Sequence, residues 1–198
     1  MNTFMVNKGY MTARTDKESD NMYTPYYAVE PLLKYISKDL VIWCPFDKEW
    51  SAYYQVFTNN GYKVIRSHIC EEQDFFTYEP DEHYDIIISN PPFSLKDRVL
   101  ERLYQLNKPF AMLLPLPSLQ GQTRYPFFKQ GIQILAFDKR IEYLSDLDMR
   151  HTKKGSPFAS VYFCRNLLPN DLIIENLNKY DRSLLLKVVS LNVVSLIY

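Results

Sequence analysis

The feature that most constrains this chain is a rhythm. Short, continuous apolar runs recur along it, separated by longer amphipathic or polar stretches. VIWCPF (41–46), YKVIRSH (62–68), YDIIIS (84–89), PFAMLLP (109–115), ILAF (134–137) and FASVYFC (158–164) each read as a strand, and DFF (74–76) reads as a further, very short one. Runs without polar alternation suit strands buried on both faces, the signature of a parallel sheet covered by helices. The intervening segments supply those helices. Val29, Leu32, Leu33 and Ile36 recur at helical spacing behind Pro25, residues 49–59 form a second helical stretch closed by Asn60-Gly61, and Leu95, Val99, Leu103 and Leu106 share one face of a third. A polar loop rather than a helix joins the last two runs, which predicts that the final strand is antiparallel. Ligands of such sheets bind beyond the carboxyl ends of the strands.

Length and charge narrow the setting. The chain has 198 residues, enough for one domain with a proper core, and Lys plus Arg and Asp plus Glu both number 23. A nucleic-acid partner therefore has to be met by a local basic patch. Cys44, Cys70 and Cys164 show no metal-ligating spacing, so reduced thiols and no metal are expected. No basic-then-apolar leader opens the chain, and the apolar tail 183–198 is too short and interrupted to span a bilayer. The expectation is a cytoplasmic protein that does not enter a membrane, divided into a flexible segment 1–22, a domain over 23–166, and an extension over 167–198 that packs on the domain or forms a homo-oligomer contact.

The sharpest local signal is Asn90-Pro91-Pro92-Phe93, directly after YDIIIS. Two adjacent prolines cannot donate ladder hydrogen bonds, so they end the strand and stiffen the loop at its carboxyl edge. Methylation of an exocyclic amino group needs such a loop, because the lone pair of adenine N6 is delocalised into the ring. The Asn90 side-chain oxygen and the Pro91 carbonyl can accept from the amino hydrogens and favour the tetrahedral nitrogen that attacks a methyl sulfonium. Phe93 offers a ring on which a flipped base can stack. The chemistry is positioning and electrostatics, with no covalent intermediate.

YDIIISNPPF resembles the catalytic motif of the class I S-adenosylmethionine-dependent N6-adenine methyltransferases, and the likeness extends in order from about Tyr23 to Cys164. Tyr23-Thr24-Pro25 resembles the family's contact with the methionine end of the cofactor. Asp74-Phe75 resembles the motif whose acid binds the cofactor's adenine amino group and whose ring packs on that adenine. The resemblance implies a Rossmann-like, mostly parallel seven-stranded sheet with its last strand antiparallel and helices on both faces, and S-adenosylmethionine as cofactor. It implies methyl transfer to adenine N6 in nucleic acid, DNA before RNA, with Asn90, Pro91, Pro92 and Phe93 at the catalytic loop. Asn90, Pro45, Phe46, Asp47 and His68 would add to the cofactor contacts.

The chain departs from the family pattern in two places. No glycine lies between Gly9 and Gly61, so the turn after the first strand, Cys44 to Glu49, carries Cβ atoms where the family has glycines, which predicts crowding against a methionine moiety. Asp47 there is expected to cap the next helix and receive the cofactor's ammonium. His68 stands where an acid commonly bridges the ribose hydroxyls, and a neutral imidazole can accept only one such bond; Glu71 or Glu72 is a substitute. A non-catalytic binding protein on a degenerate methyltransferase fold stays open on these grounds, as does a protein-glutamine or rRNA-guanine amino-methyltransferase, although Phe93 favours bases.

Lys139, Arg140, Arg150, Lys153 and Lys154 cluster in residues 138–157 and suit phosphate contacts, with Tyr143 available for stacking and Glu142, Asp146 and Asp148 opposing the charge. Residues 120–124 form a second candidate loop.

Overall fold

A computed structural model describes residues 23–144 and 158–179. Its centre is a seven-stranded sheet of order β2-β1-β3-β4-β6-β5-β7. The strands are β1 (Val41–Cys44), β2 (Lys63–Arg66), β3 (Ile86–Ser89), β4 (Phe110–Pro115), β5 (Gln133–Phe137), β6 (Ser160–Arg165) and β7 (Leu172–Glu175). All run parallel except β6, which is antiparallel to both neighbours, β4 and β5. This is the Rossmann-like, mostly parallel sheet with helices on both faces that the sequence predicts.

Two differences concern which residues make the strands. Residues 74–76 form no strand, because the Asp74 carboxylate accepts from the Phe76 amide at 3.1 Å and its carbonyl accepts from Thr77 and Tyr78, closing a turn instead. The seventh strand comes from the segment assigned to a C-terminal extension: β7 pairs in parallel with β5, Leu135 opposite Ile173. The predicted antiparallel strand is thus β6, with one more strand after it. Residues 1–22 and the tail beyond 179 lie outside the described residues.

The apolar runs are apolar on both sides because both sides are covered. Ile42, Cys44, Ile86, Ile88, Ala111, Leu113, Tyr162 and Cys164 face one core, with helix α1 (Tyr26–Val29, continuing as a 3₁₀ turn over Glu30–Lys34) and helix α2 (Ala52–Asn59) packed on it. Their sequence neighbours Trp43, Ile87, Phe110, Met112, Leu114, Val161 and Phe163 face the other, under helix α3 (Lys96–Leu106). Successive residues of a strand point to opposite faces, so each run fills two cores at once. Gly61 at φ 78° ends the turn after α2, and Asn107 at φ 52° caps α3 in the left-handed conformation. A one-turn helix α4 (Tyr125–Phe128) precedes β5. No helix among the described residues is long and apolar enough to cross a membrane.

β1 lies between β2 and β3, so the connections leaving its carboxyl end and that of β3 part in opposite directions. Such a switch point opens a crevice between the strand ends.

Candidate active site

A cleft of about 580 Å³ occupies that crevice, within the range of small-molecule sites. It brings together segments far apart in sequence. Tyr23 and Thr24 come from the lead into α1, Pro45, Phe46 and Asp47 from the turn after β1, and His68 from the end of β2. Asp74 and Phe75 come from the turn beyond it, and Asn90, Pro91, Pro92 and Phe93 from the loop after β3. Of the sequence-predicted cleft residues only Pro25 does not line it; it sits at φ −75° ahead of α1 and starts that helix.

The β3 loop owes its shape to its prolines. β3 is buried along its whole length, and Pro92 at φ −55° leads into a 3₁₀ turn, Phe93–Leu95, closed by the Leu95 amide donating to the Pro92 carbonyl at 3.0 Å. Lys96 reaches back to the Phe93 carbonyl at 3.3 Å. The Phe93 ring is held in T-shaped contacts with Tyr143, 6.2 Å between centroids, and Phe158, 5.6 Å. Tyr143 is therefore not a stacking platform; it is 1% exposed and supports the ring that lines the cleft.

The turn after β1, without glycine, lines the cleft with side chains: Pro45, Phe46, Asp47 and Lys48 all reach it. The Asp47 amide donates to the Ser67 carbonyl at 3.2 Å and Ser67 donates back to Cys44 at 3.1 Å, so the β1–β2 ladder continues past the strands. Pro45 and Asp47 are buried within the cleft lining. Asp47 does not cap α2. That helix begins at Ala52 with Ser51 in the cap position. The Asp47 carboxyl points instead to β3, where the Ser89 hydroxyl donates to it at 2.5 Å. It is 5% exposed, and burial pushes its pKa up to about 7 against the lowering by hydrogen bonds with Ser89 and Ser51.

Beyond β2 the cleft wall is aromatic. Phe75 is buried between Trp43, 5.5 Å away, and Phe46, 5.0 Å away, and Phe76 lies beside it under the Arg98 guanidinium at 4.0 Å. His68 differs from expectation. Its Nδ1 accepts from the Cys70 amide at 3.1 Å, which places the proton of the neutral ring on Nε2, so the imidazole offers a donor to a ligand. Burial, then the Lys48 ammonium, hold its pKa below the ordinary histidine value. Neither acid suggested as its substitute lines the cleft: Glu71 is held by Arg66 at 2.8 and 2.7 Å, and Glu72 turns away at φ 61°.

The opposite rim is built by a short bridge. Tyr23 and Leu144 exchange backbone hydrogen bonds of 3.2 and 2.9 Å, which brings the start of the basic loop to the cleft mouth. The Tyr23 ring meets Trp50 edge-on at 5.3 Å, and Trp50 is 44% exposed. Trp50, Ser51, Tyr53 and Leu144 line the cleft and were missed, as was Ser89 beneath it. Only folding brings the first turn of α2 over the site, so no local signal marks the first three; Ser89, a small polar residue directly before the motif, was legible.

Two residues of the basic cluster are described, and neither lines the cleft. Lys139 donates to the Leu177 carbonyl at 3.3 Å and pairs with Asp138 at 3.2 Å, and neither it nor Arg140 lines the cavity. Arg150, Lys153 and Lys154 lie outside the described residues. In the 120–124 loop Arg124 is committed to Asp97 at 2.6 Å and to the Gln120 carbonyl, so it staples the loop to α3 rather than offering a cation.

No protein-family model matches the chain, and no curated protein matches its sequence. Solved structures resemble it in fold. One is a protein assigned as a class I S-adenosylmethionine-dependent methyltransferase from Listeria monocytogenes, 12% identical, with a TM-score of 0.47 over 90% of this chain and 73% of that one. Another is a modification subunit assigned to a type I restriction enzyme of Vibrio vulnificus YJ016, 12% identical, with a TM-score of 0.44 over 85% of this chain and 49% of that one.

Proposed function

We propose that this protein is an S-adenosylmethionine-dependent methyltransferase that acts on the N6 amino group of adenine in nucleic acid, DNA before RNA. The observation that carries the reading is convergence. Segments containing Tyr23, Asp47, His68, Asp74 and Asn90 reach one cleft at the switch point of the sheet.

The donor set suits the cofactor. Asp47 is a carboxyl group for the ammonium of an amino acid, and no ion pair to it forms among the described residues. Phe46, Phe75 and Phe76 form an apolar wall for an adenine ring, the Asp74 carboxylate is an acceptor for its amino group, and His68 Nε2 is a donor for a ribose hydroxyl. When bound, the cofactor supplies an electrophilic methyl group on a sulfonium. The protein's own part is geometric. The Asn90 side-chain oxygen and the Pro91 carbonyl accept from the two amino hydrogens of the target base, which removes the nitrogen lone pair from ring conjugation. The proline-locked loop holds both acceptors without reorganisation. Phe93, braced by Tyr143 and Phe158, stacks on the base.

Incubation with methyl-labelled cofactor tests this on DNA, RNA and protein separately. Transfer to adenine N6, lost in Asn90→Ala while the thermal melt is retained, is the expected result. Label found only in protein would reassign the substrate, and no binding of the cofactor at millimolar concentration would leave a non-catalytic protein.

A further inference from the structure

Asp47 is the one buried carboxyl among the described residues, and no ion pair to it forms among them. Cys44 of β1, Tyr53 of α2 and Tyr162 of β6 lie close enough to feel its charge, and the Ser89 hydroxyl of β3 donates to it at 2.5 Å. The two phenols are themselves joined at 3.0 Å, and Tyr162 donates on to the Ala28 carbonyl. Burial drives the thiol and both phenols well above their ordinary pKa values, so none of them ionises near neutrality. The nearby cations lie elsewhere. Arg66 is engaged by Glu71 and Glu49, Lys48 and His68 sit along the cleft wall, and none of these forms an ion pair with Asp47. Among the described residues this carboxylate has no counter-charge of its own.

We propose that Asp47 is a proton-linked receptor for the cationic end of the ligand: the empty cleft holds Asp47 as the neutral acid, and a bound ammonium or sulfonium displaces its proton to solvent. The inference rests on the function proposed above and adds how that site selects and loads its ligand. In the exchange the Asp47 O–H bond breaks, its proton passes through the cleft mouth to buffer, and an ion pair replaces the neutral acid. No bond to the ligand forms. The hydrogen bond from Ser89 is kept and strengthens, because its acceptor becomes charged. The raised acidity constant fits this arrangement, since the folded protein gives up the Asp47 proton only near pH 7. Ligands therefore compete with protons below that pH, and their affinity rises with pH up to it by as much as about tenfold per unit. An uncharged analogue carries no such dependence.

Titration calorimetry on the full chain with S-adenosylmethionine, in two buffers of different ionisation enthalpy, counts the protons directly. The expected result is release approaching one proton at pH 6, falling toward zero by pH 8.5, with affinity rising several-fold from pH 6 to 7. Asp47→Asn abolishes the release and flattens the affinity profile, whereas His68→Gln, which removes the imidazole on the same cleft, leaves the release in place. Tight binding with no proton released by the wild-type chain overturns this inference and leaves the methyltransferase reading standing; absence of any binding overturns both. Release that survives Asp47→Asn and disappears in His68→Gln assigns the linkage to the imidazole and also overturns the proposal. Because the wild-type count requires no variant, an Asp47→Asn chain that fails to fold does not remove the test.

Discussion

The two ends of the cleft are built on opposite principles. The loop after β3 is stiff by covalent structure: two prolines fix backbone angles through Asn90-Pro91-Pro92-Phe93, and the corner needs few partners to keep its shape. The turn after β1 has one proline and no glycine, and it keeps its shape through tertiary contacts. Asp47 is held by Ser89, Phe46 by Phe75, and the Asp47 amide by Ser67. One end therefore concentrates its function in a few atoms, while the other spreads it through the core. Substitutions at the first should remove activity and spare stability; at the second the two should change together.

The largest effect belongs to the stiff end. Asn90→Ala should lower the methyl-transfer rate by about 10²–10³-fold, the usual cost of one preorganised polar contact, with the denaturation midpoint unchanged. Parallel rate and urea-unfolding measurements check it, and a large loss of stability would break the comparison. At the packed end, Phe75→Ala deletes a ring buried against Trp43 and Phe46, at a cost of about 3 kcal/mol in urea unfolding, and should weaken cofactor binding in the same variant. Retained stability there would show that the aromatic wall is a platform and not a support.

Asp47→Asn sharpens the contrast through pH. Its folded pKa, about 7, lies above the ordinary carboxylate value, so between roughly pH 4 and 7 the folded state holds a proton that the unfolded chain has lost. Wild-type stability is full below that window and declines through it. The asparagine variant escapes the decline, so its advantage should be absent at pH 4 and reach about 4 kcal/mol at pH 8 in paired denaturation curves. The smallest effect should come from Ser89→Ala, which cuts the side-chain bond from the end of β3 to the Asp47 carboxyl. It should cost about 1 kcal/mol of stability and raise the Asp47 pKa further, which shifts the pH-dependence of ligand binding upward.

How much was legible follows the same division. The double-proline corner, the strand before it and the helix after it are local, and they stand where the sequence places them. Asp47 was legible as a cleft residue and as the expected partner of an ammonium, but not in its contacts: an acid shortly before a helix reads as a cap, and only the approach of β3 gives it Ser89 as a partner. His68 was legible as a cleft residue, but its tautomer depends on the Cys70 amide that its own turn brings back to Nδ1. Lys139 and Arg124 were legible as cations but not in their partners, because charge in a loop does not say what folding brings beside it. Arg124 is taken by Asp97 and Lys139 by the carbonyl of Leu177. The short run 74–76 has strand-forming composition, yet the Asx turn made by Asp74 closes before any neighbour can pair with it.

By itself the sequence determined the parallel sheet, the two covered faces and the rigid corner at the end of β3, because these depend on backbone chemistry and on side-chain periodicity within single elements. The tertiary structure decided which strand completes the sheet edge, what surrounds the Asp47 carboxyl, and that Trp50 and Tyr23 meet at the cleft mouth. Those features depend on distances between elements far apart in the chain, and a side chain's charge state follows from the neighbours that folding assembles around it.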